Sequence, residues 1–111
     1  MFIKEKILKN YVEFQNICQR YNVKSLYAFG SSVTNNYDAE NSDIDLLVEI
    51  NDIDPVKKGE DLIGFWDSME NYFNRRVDLL TQQSIKNPYL KQSIDSTKIL
   101  LYDDSRKKVF I

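Results

Sequence analysis

The sequence predicts an α+β fold, and three observations predict it. Residues 3–21 carry apolar side chains at helical spacing. Residues 43–50 alternate apolar and polar with a period of two, as a strand does. Helical and strand patterns then alternate to the end of the chain, giving the order α-β-turn-β-α-β-α-β. With 111 residues the chain has the size of one ordinary domain, which we take as residues 1–111. A domain of this size buries only about two-thirds of the surface of its unfolded chain, enough for one core.

Each element has its own signal. Ile7, Tyr11, Phe14, Cys18 and Tyr21 follow one another at helical intervals, so residues 3–21 read as one amphipathic helix with this stripe in the core. Ser25 to Phe29 reads as a short buried strand that Gly30 ends. Asn35 to Ser42 is polar and turn-rich. In the strand that follows, Ile44, Leu46, Val48 and Ile50 fall on one face, and Asp43, Asp45, Leu47 and Glu49 on the other. Asp54-Pro55 is a helix start, with Pro55 where its missing N–H costs nothing. Leu62, Trp66, Met69 and Phe73 then continue at helical spacing, against the weak propensity of Gly59 and Gly64. Arg76 to Thr81 is a third strand, with Val77 and Leu79 opposite Asp78. Asn87-Pro88 starts a short helix carrying Leu90 and Ile94, Lys98 to Tyr102 reads as a last strand, and Ser105 to Ile111 as a basic tail.

Composition excludes several chemistries. Cys18 is the sole cysteine and there is no histidine, so zinc sites of Cys and His, Ser-His-Asp triads and Cys-His pairs are all excluded. Any metal is left to carboxylates, which suit a hard ion such as Mg²⁺ or Mn²⁺. The formal net charge of −2 argues against direct nucleic-acid binding as the main task. Lysines interrupt the apolar residues of the N-terminus, so no signal peptide or membrane span is expected, and the cytoplasm is the expected location.

The acids are the chemical feature. Asp43 and Asp45, two apart on a strand, project the same way about 7 Å apart. Their mutual repulsion is relieved by a divalent cation. The plain alternative is a solvated sheet face. Asp78 repeats the pattern and joins them if its strand lies beside 43–50; otherwise it is an edge residue or the ion-pair partner of Arg75 or Arg76. Gly30-Ser31 turns the chain at a strand end, where backbone N–H groups and the Ser31 hydroxyl can hold phosphate oxygens. On its own that is ordinary turn chemistry.

Together, Phe29-Gly30-Ser31, Ser42-Asp43-Ile44-Asp45-Leu46-Leu47-Val48 and Val77-Asp78-Leu79 resemble the minimal nucleotidyltransferases of the DNA polymerase β-like superfamily. The resemblance implies a nucleotidyltransferase fold, a mixed sheet flanked by helices. It implies ATP as nucleotide donor and two Mg²⁺ held by Asp43, Asp45 and Asp78, with Asp78 also orienting or deprotonating the acceptor hydroxyl. Gly30 and Ser31 would bind the triphosphate. Two departures stand out. Eleven residues, Ser32 to Ser42, separate Gly30-Ser31 from Asp43, one more than the family commonly has. Val33-Thr34-Asn35 replaces the usual small-Arg-Gly run, leaving Lys57, Lys58, Arg75 and Arg76 as substitutes for the absent arginine.

Small proteins of this kind resemble the antitoxin half of toxin–antitoxin pairs whose toxin is a HEPN-domain ribonuclease. The implied reaction is transfer of AMP from ATP to a toxin tyrosine, with the partner, or a second copy in a homo- or hetero-oligomer, supplying the acceptor. Two other readings are an antitoxin that neutralises by binding alone, and a transferase for a small aminoglycoside-type molecule.

Overall fold

The computed structural model describes residues 2–34, 42–106 and 108–109. The alternation of residues 44–50 produces the strand on which the rest is assembled. This strand, β2 (Ile44–Ile50), follows β1 (Val23–Ala28) and precedes β3 (Val77–Leu80), β4 (Ile99–Asp103) and β5 (Lys108–Val109). The five form one sheet in the order β3-β2-β1-β4-β5. β1 runs antiparallel to β2 and to β4, while β2 and β3 are parallel, so the sheet is mixed. The parallel pair requires a crossover, and the helix α3 (Pro55–Phe73) supplies it.

One sheet face carries the core. Ile44, Leu46, Val48 and Ile50 project there as their period demands. They pack with Ile3 and Ile7 of α1 (Phe2–Lys9), Phe14 and Cys18 of α2 (Tyr11–Arg20), and Phe65, Met69 and Phe73 of α3. Each fully buried Leu, Ile or Phe contributes about 1.5–3 kcal/mol. The opposite face is covered in part by α4 (Pro88–Thr97), whose Ile94 meets Phe29 and Leu47. That face is therefore not simply wet: Leu47 is buried between two acidic positions.

The two Pro-started helices begin as their sequences require. Asp54 accepts the Val56 N–H at 3.1 Å, and Asn87 accepts the Tyr89 N–H at 2.8 Å. α3 runs unbroken through Gly64, where the Tyr21 ring lies against the backbone in the space a Cβ would take. Trp66, at a stripe position, is half exposed instead of core. Its indole Nε1 donates to the Val77 carbonyl at 2.9 Å, and the Glu70 carboxylate accepts the Val77 N–H at 3.0 Å. Both groups would otherwise be open on the edge strand β3.

Four expectations need correction. Residues 3–21 form two helices, because Asn10 adopts a non-helical backbone (φ −152°) between them. The Tyr72 hydroxyl donates into this break, 2.9 Å from the Asn10 carbonyl, which also accepts the Phe14 N–H of α2, and 3.3 Å from the Lys6 carbonyl in the last turn of α1. The break turns Tyr11 out to solvent while Phe14 and Cys18 stay inside, and Tyr21 lies just beyond α2. Leu90 is exposed on α4, leaving Ile94 as that helix's buried anchor. The basic tail is partly structured: a 3-10 turn at Asp104–Arg106 leads into β5, which pairs with β4 through Tyr102↔Val109 and Asp103↔Lys108. The expected polar loop, Asn35 to Ser42, lies outside the described residues except for Ser42.

Candidate active site

The parallel register of β2 and β3 places Asp45 directly beside Asp78. Neighbouring strands stand about 4.7–4.9 Å apart, so two carboxylates on one face at one level are forced close together. Asp43 lies one residue before β2 and is exposed, as is Asp78, while Asp45 is half-buried. Burial, then the negative charges of Asp78 and Asp43, pushes the Asp45 carboxyl up to about 6. Asp45 thus senses the charge of both its neighbours.

The corner after β1 is built against Asp45. Gly30 has φ +65°, and a Cβ there would stand 2.9 Å from Asp45 Oδ2. Glycine is required for both its backbone and its lack of a side chain. The chain then makes a 3-10 turn, Gly30–Val33, whose Ser32 is fully buried. Ser32 Oγ accepts the Asp45 N–H at 2.8 Å and lies 3.5 Å from the Asp43 carbonyl, to which it donates. Phe29 N–H donates to the Asp45 carbonyl at 3.1 Å. Ser31 is exposed on the outside of the turn.

Gly30, Asp45 and Asp78 are thus brought together, with Asp43 and Ser31 at the rim. Two residues that sequence reasoning passed over complete the support. Ser32, not Ser31, fastens the corner to the acidic strand; two consecutive serines gave no means of choosing between them. Thr97, in the last turn of α4, accepts the Gly30 N–H at 3.2 Å and donates to the Ser93 carbonyl at 2.9 Å. Only the β1–β4 pairing, Ala28↔Ile99, brings it there.

Of the four cations considered as substitutes for the absent arginine, three stand elsewhere. Lys57 bonds Asp61 at 3.1 and 3.2 Å, and Asp61 also accepts from Asn22 at 3.0 Å. That network belongs to the far end of β2, where Asn51 N–H bonds the Asn22 carbonyl. Lys58 borders a cleft with Ile50 and Leu62 at the same end. Arg75 lies over the Phe2 ring, 5.8 Å from its centroid. Arg76 remains: its carbonyl accepts the Ile44 N–H at 2.9 Å, which sets it level with Asp43 beside the acids. A further cation not foreseen, Lys98, lies over the Tyr27 ring with Nζ 4.9 Å from the centroid and 3.1 Å from Asp95.

The donor set is all oxygen and anionic, which fits a hard divalent cation. Repulsion around Asp45 is the electrostatic condition such a cation relieves. As placed, no three Asp, Glu or Cys side chains among the described residues are drawn close enough together to hold a metal ion. Also among the described residues, no helix is long and apolar enough to cross a membrane.

Comparison with known proteins identifies the family and the fold. Residues 12–101 match the family model described as "Nucleotidyltransferase domain". A protein of Methanocaldococcus jannaschii, named as a candidate protein adenylyltransferase, is 35% identical over 89% of this chain and 94% of its own. Among solved structures, a candidate minimal nucleotidyltransferase superposes with TM-score 0.63 at 24% identity, covering 83% of this chain and 90% of that one. A toxin–antitoxin with AMP-PNP gives 0.60 at 20% identity over 88% and 77%. A complex of MNT antitoxin with tri-AMPylated HEPN toxin from Shewanella oneidensis gives 0.51 at 18% identity over 96% and 76%. At these identities the structures speak to the fold alone, and the fold is the same mixed sheet flanked by helices. The family match and the sequence relative go further: the chain belongs to the nucleotidyltransferase domain family.

Proposed function

We propose that the protein is a Mg²⁺-dependent adenylyltransferase that moves AMP from ATP onto a tyrosine hydroxyl of a HEPN-domain toxin, acting in the cytoplasm as the antitoxin of the pair. The observation that carries this is the alignment of Asp45 with Asp78 beneath the Gly30 corner. The M. jannaschii relative's name and the AMPylated toxin in the Shewanella complex support a protein acceptor.

Asp43, Asp45 and Asp78 would hold the Mg²⁺ ions, which when bound supply charge neutralisation at the α-phosphate. The chain's own residues do the rest. Gly30, without a side chain, leaves the space beside Asp45 open to phosphate oxygens, and Ser31 presents its hydroxyl at the rim. Ser32 holds the Asp43–Asp45 backbone so that both carboxylates keep their positions. Asp78, exposed, takes the proton from the incoming tyrosine hydroxyl. The tyrosine oxygen bonds to the α-phosphorus, the bond from that phosphorus to the bridging oxygen breaks, and pyrophosphate leaves with the bonding electrons.

The test is incubation with α-labelled ATP, Mg²⁺ and a HEPN-type partner. Label on a partner tyrosine that is absent with Asp43→Asn supports the reading; an unlabelled partner, or equal labelling by the variant, contradicts it. One observation favours a binding-only antitoxin instead, namely Thr34 and Asn35 in the place of the family's Arg-Gly. The double substitution Asp43→Asn with Asp45→Asn separates the two, because a pure binder would still neutralise the toxin.

A further inference from the structure

Asp78 stands on a weakly supported strand. β3 is four residues long and lies at the sheet edge, with β2 as its one neighbour in the sheet. Across that ladder Asp45 and Asp78 are level, and like charges so placed push the two strands apart. A short edge strand opens locally at low free energy, and here it would carry Asp78 away with it.

One side of α3 opposes that opening. Trp66 and Glu70, four residues apart on the helix, lie one above the other and take both backbone groups of Val77. The indole Nε1 donates to the Val77 carbonyl at 2.9 Å, and the Glu70 carboxylate accepts the Val77 N–H at 3.0 Å. On the inner side the preceding carbonyl, that of Arg76, accepts the Ile44 N–H at 2.9 Å. Val77 is thus held from outside the sheet and Arg76 from inside, and Asp78 is the next residue. The link between α3 and β3 is fixed as well. Asn74 is left-handed (φ +52°), and the Glu70 carbonyl accepts its N–H and, at 3.3 Å, that of Arg75. α3 itself is anchored in the core by Phe65, Met69 and Phe73. Packing alone does not explain Trp66, which is 47% exposed; what it adds over Leu or Phe is the indole N–H.

We propose that Trp66 and Glu70 are positioning residues for the transfer reaction: they brace Val77 from outside the sheet and so hold the Asp78 carboxylate level with Asp45. Neither side chain takes part in the chemistry itself. The brace also occupies edge groups that a foreign strand would pair with, so β3 keeps its place against β2. The effect on catalysis rests on the nucleotide-transfer reading, whereas the bracing of β3 does not.

Amide hydrogen exchange and transfer kinetics on the whole chain test it, with Trp66→Phe, Glu70→Ala and Glu70→Gln. Trp66→Phe keeps a ring and loses the donor, while Glu70→Gln keeps a side-chain oxygen that accepts. In the wild type the Val77 N–H is expected to exchange slowly although it faces the outer edge. Trp66→Phe and Glu70→Ala should speed exchange at Val77 and Asp78 by about tenfold, with the central strand β1 still protected. With α-labelled ATP, Mg²⁺ and a HEPN-type partner, the same two variants should lower kcat by about tenfold to a hundredfold, with a smaller change in KM for ATP. Glu70→Gln should recover most of both losses. Unchanged exchange in Trp66→Phe or Glu70→Ala overturns the brace, as does a Glu70→Gln protein as defective as Glu70→Ala. Faster exchange with wild-type kcat, or a loss confined to KM, overturns the positioning role. If Glu70→Ala does not fold, Trp66→Phe, at a half-exposed position, carries the same test. A wild type that transfers no AMP overturns the transfer reading, a separate failure, and the exchange rates then decide the brace by themselves.

Discussion

Gly30 and Asp45 are in contact across the end of the sheet: a single added carbon on Gly30 would stand 2.9 Å from Asp45 Oδ2. This closeness couples the turn after β1 to the acid in the middle of the site. Gly30→Ala therefore faces a left-handed backbone and an occupied space together. The expected result is a stability loss of about 1–2 kcal/mol by denaturant unfolding. Nucleotide transfer should fall further than that loss explains, because the methyl group displaces the carboxylate.

Ser32 and Asp45 give a second test. Ser32→Ala leaves the Asp45 N–H without its buried acceptor, at a cost of about 1–3 kcal/mol. Ser32→Thr, which keeps an oxygen there, should recover part of the transfer activity that Ser32→Ala loses. Equal activity in wild type and Ser32→Ala would show that the fastening is unnecessary.

The raised carboxyl of Asp45 predicts a pH dependence. Its folded pKa, about 6, lies above the ordinary value of 3.8, so the native state holds this proton more tightly than the unfolded chain does. Stability associated with Asp45 is then fully present below about pH 4 and declines as pH rises through about 6. Asp45→Asn removes the ionisation and should be more stable than wild type at pH 7.5 by roughly 1 kcal/mol, after discounting for its half exposure. The gain should vanish near pH 4. Thermal melting at the two pH values, without added metal, measures it.

Tyr72 tests the helix break and should leave the chemistry alone. Tyr72→Phe removes the donor to the Asn10 and Lys6 carbonyls and should lower stability by about 1 kcal/mol. Transfer activity should be unchanged, because Tyr72 packs with Phe14 and Phe73 on the core side of the sheet.

The sheet's acidic face was legible because a period of two is a property of the local sequence. Asp43, Asp45 and Asp78 could be placed on faces from their neighbours alone, and both Pro-started helices began where Asp54 and Asn87 indicated. What stayed hidden depends on pairing. Nothing local says that β3 lies parallel to β2 with Asp78 beside Asp45, or that β4 delivers Thr97 to Gly30. The break at Asn10 was hidden for a related reason: the apolar stripe continues across it, and the group that fills it, Tyr72, lies 62 residues away. Lys98 was overlooked because its relation to Tyr27 exists only once β1 and β4 pair.

The central claim is that the Asp45–Asp78 level of the β2–β3 pair is a nucleotidyl-transfer centre. The most direct measurement is the rate of AMP transfer from α-labelled ATP to a HEPN-type partner by Asp45→Asn at pH 7.5, alongside its melting curve. The account predicts a variant that melts at or above the wild-type temperature and transfers at least about a hundredfold more slowly. A folded Asp45→Asn protein that transfers AMP at the wild-type rate would contradict it.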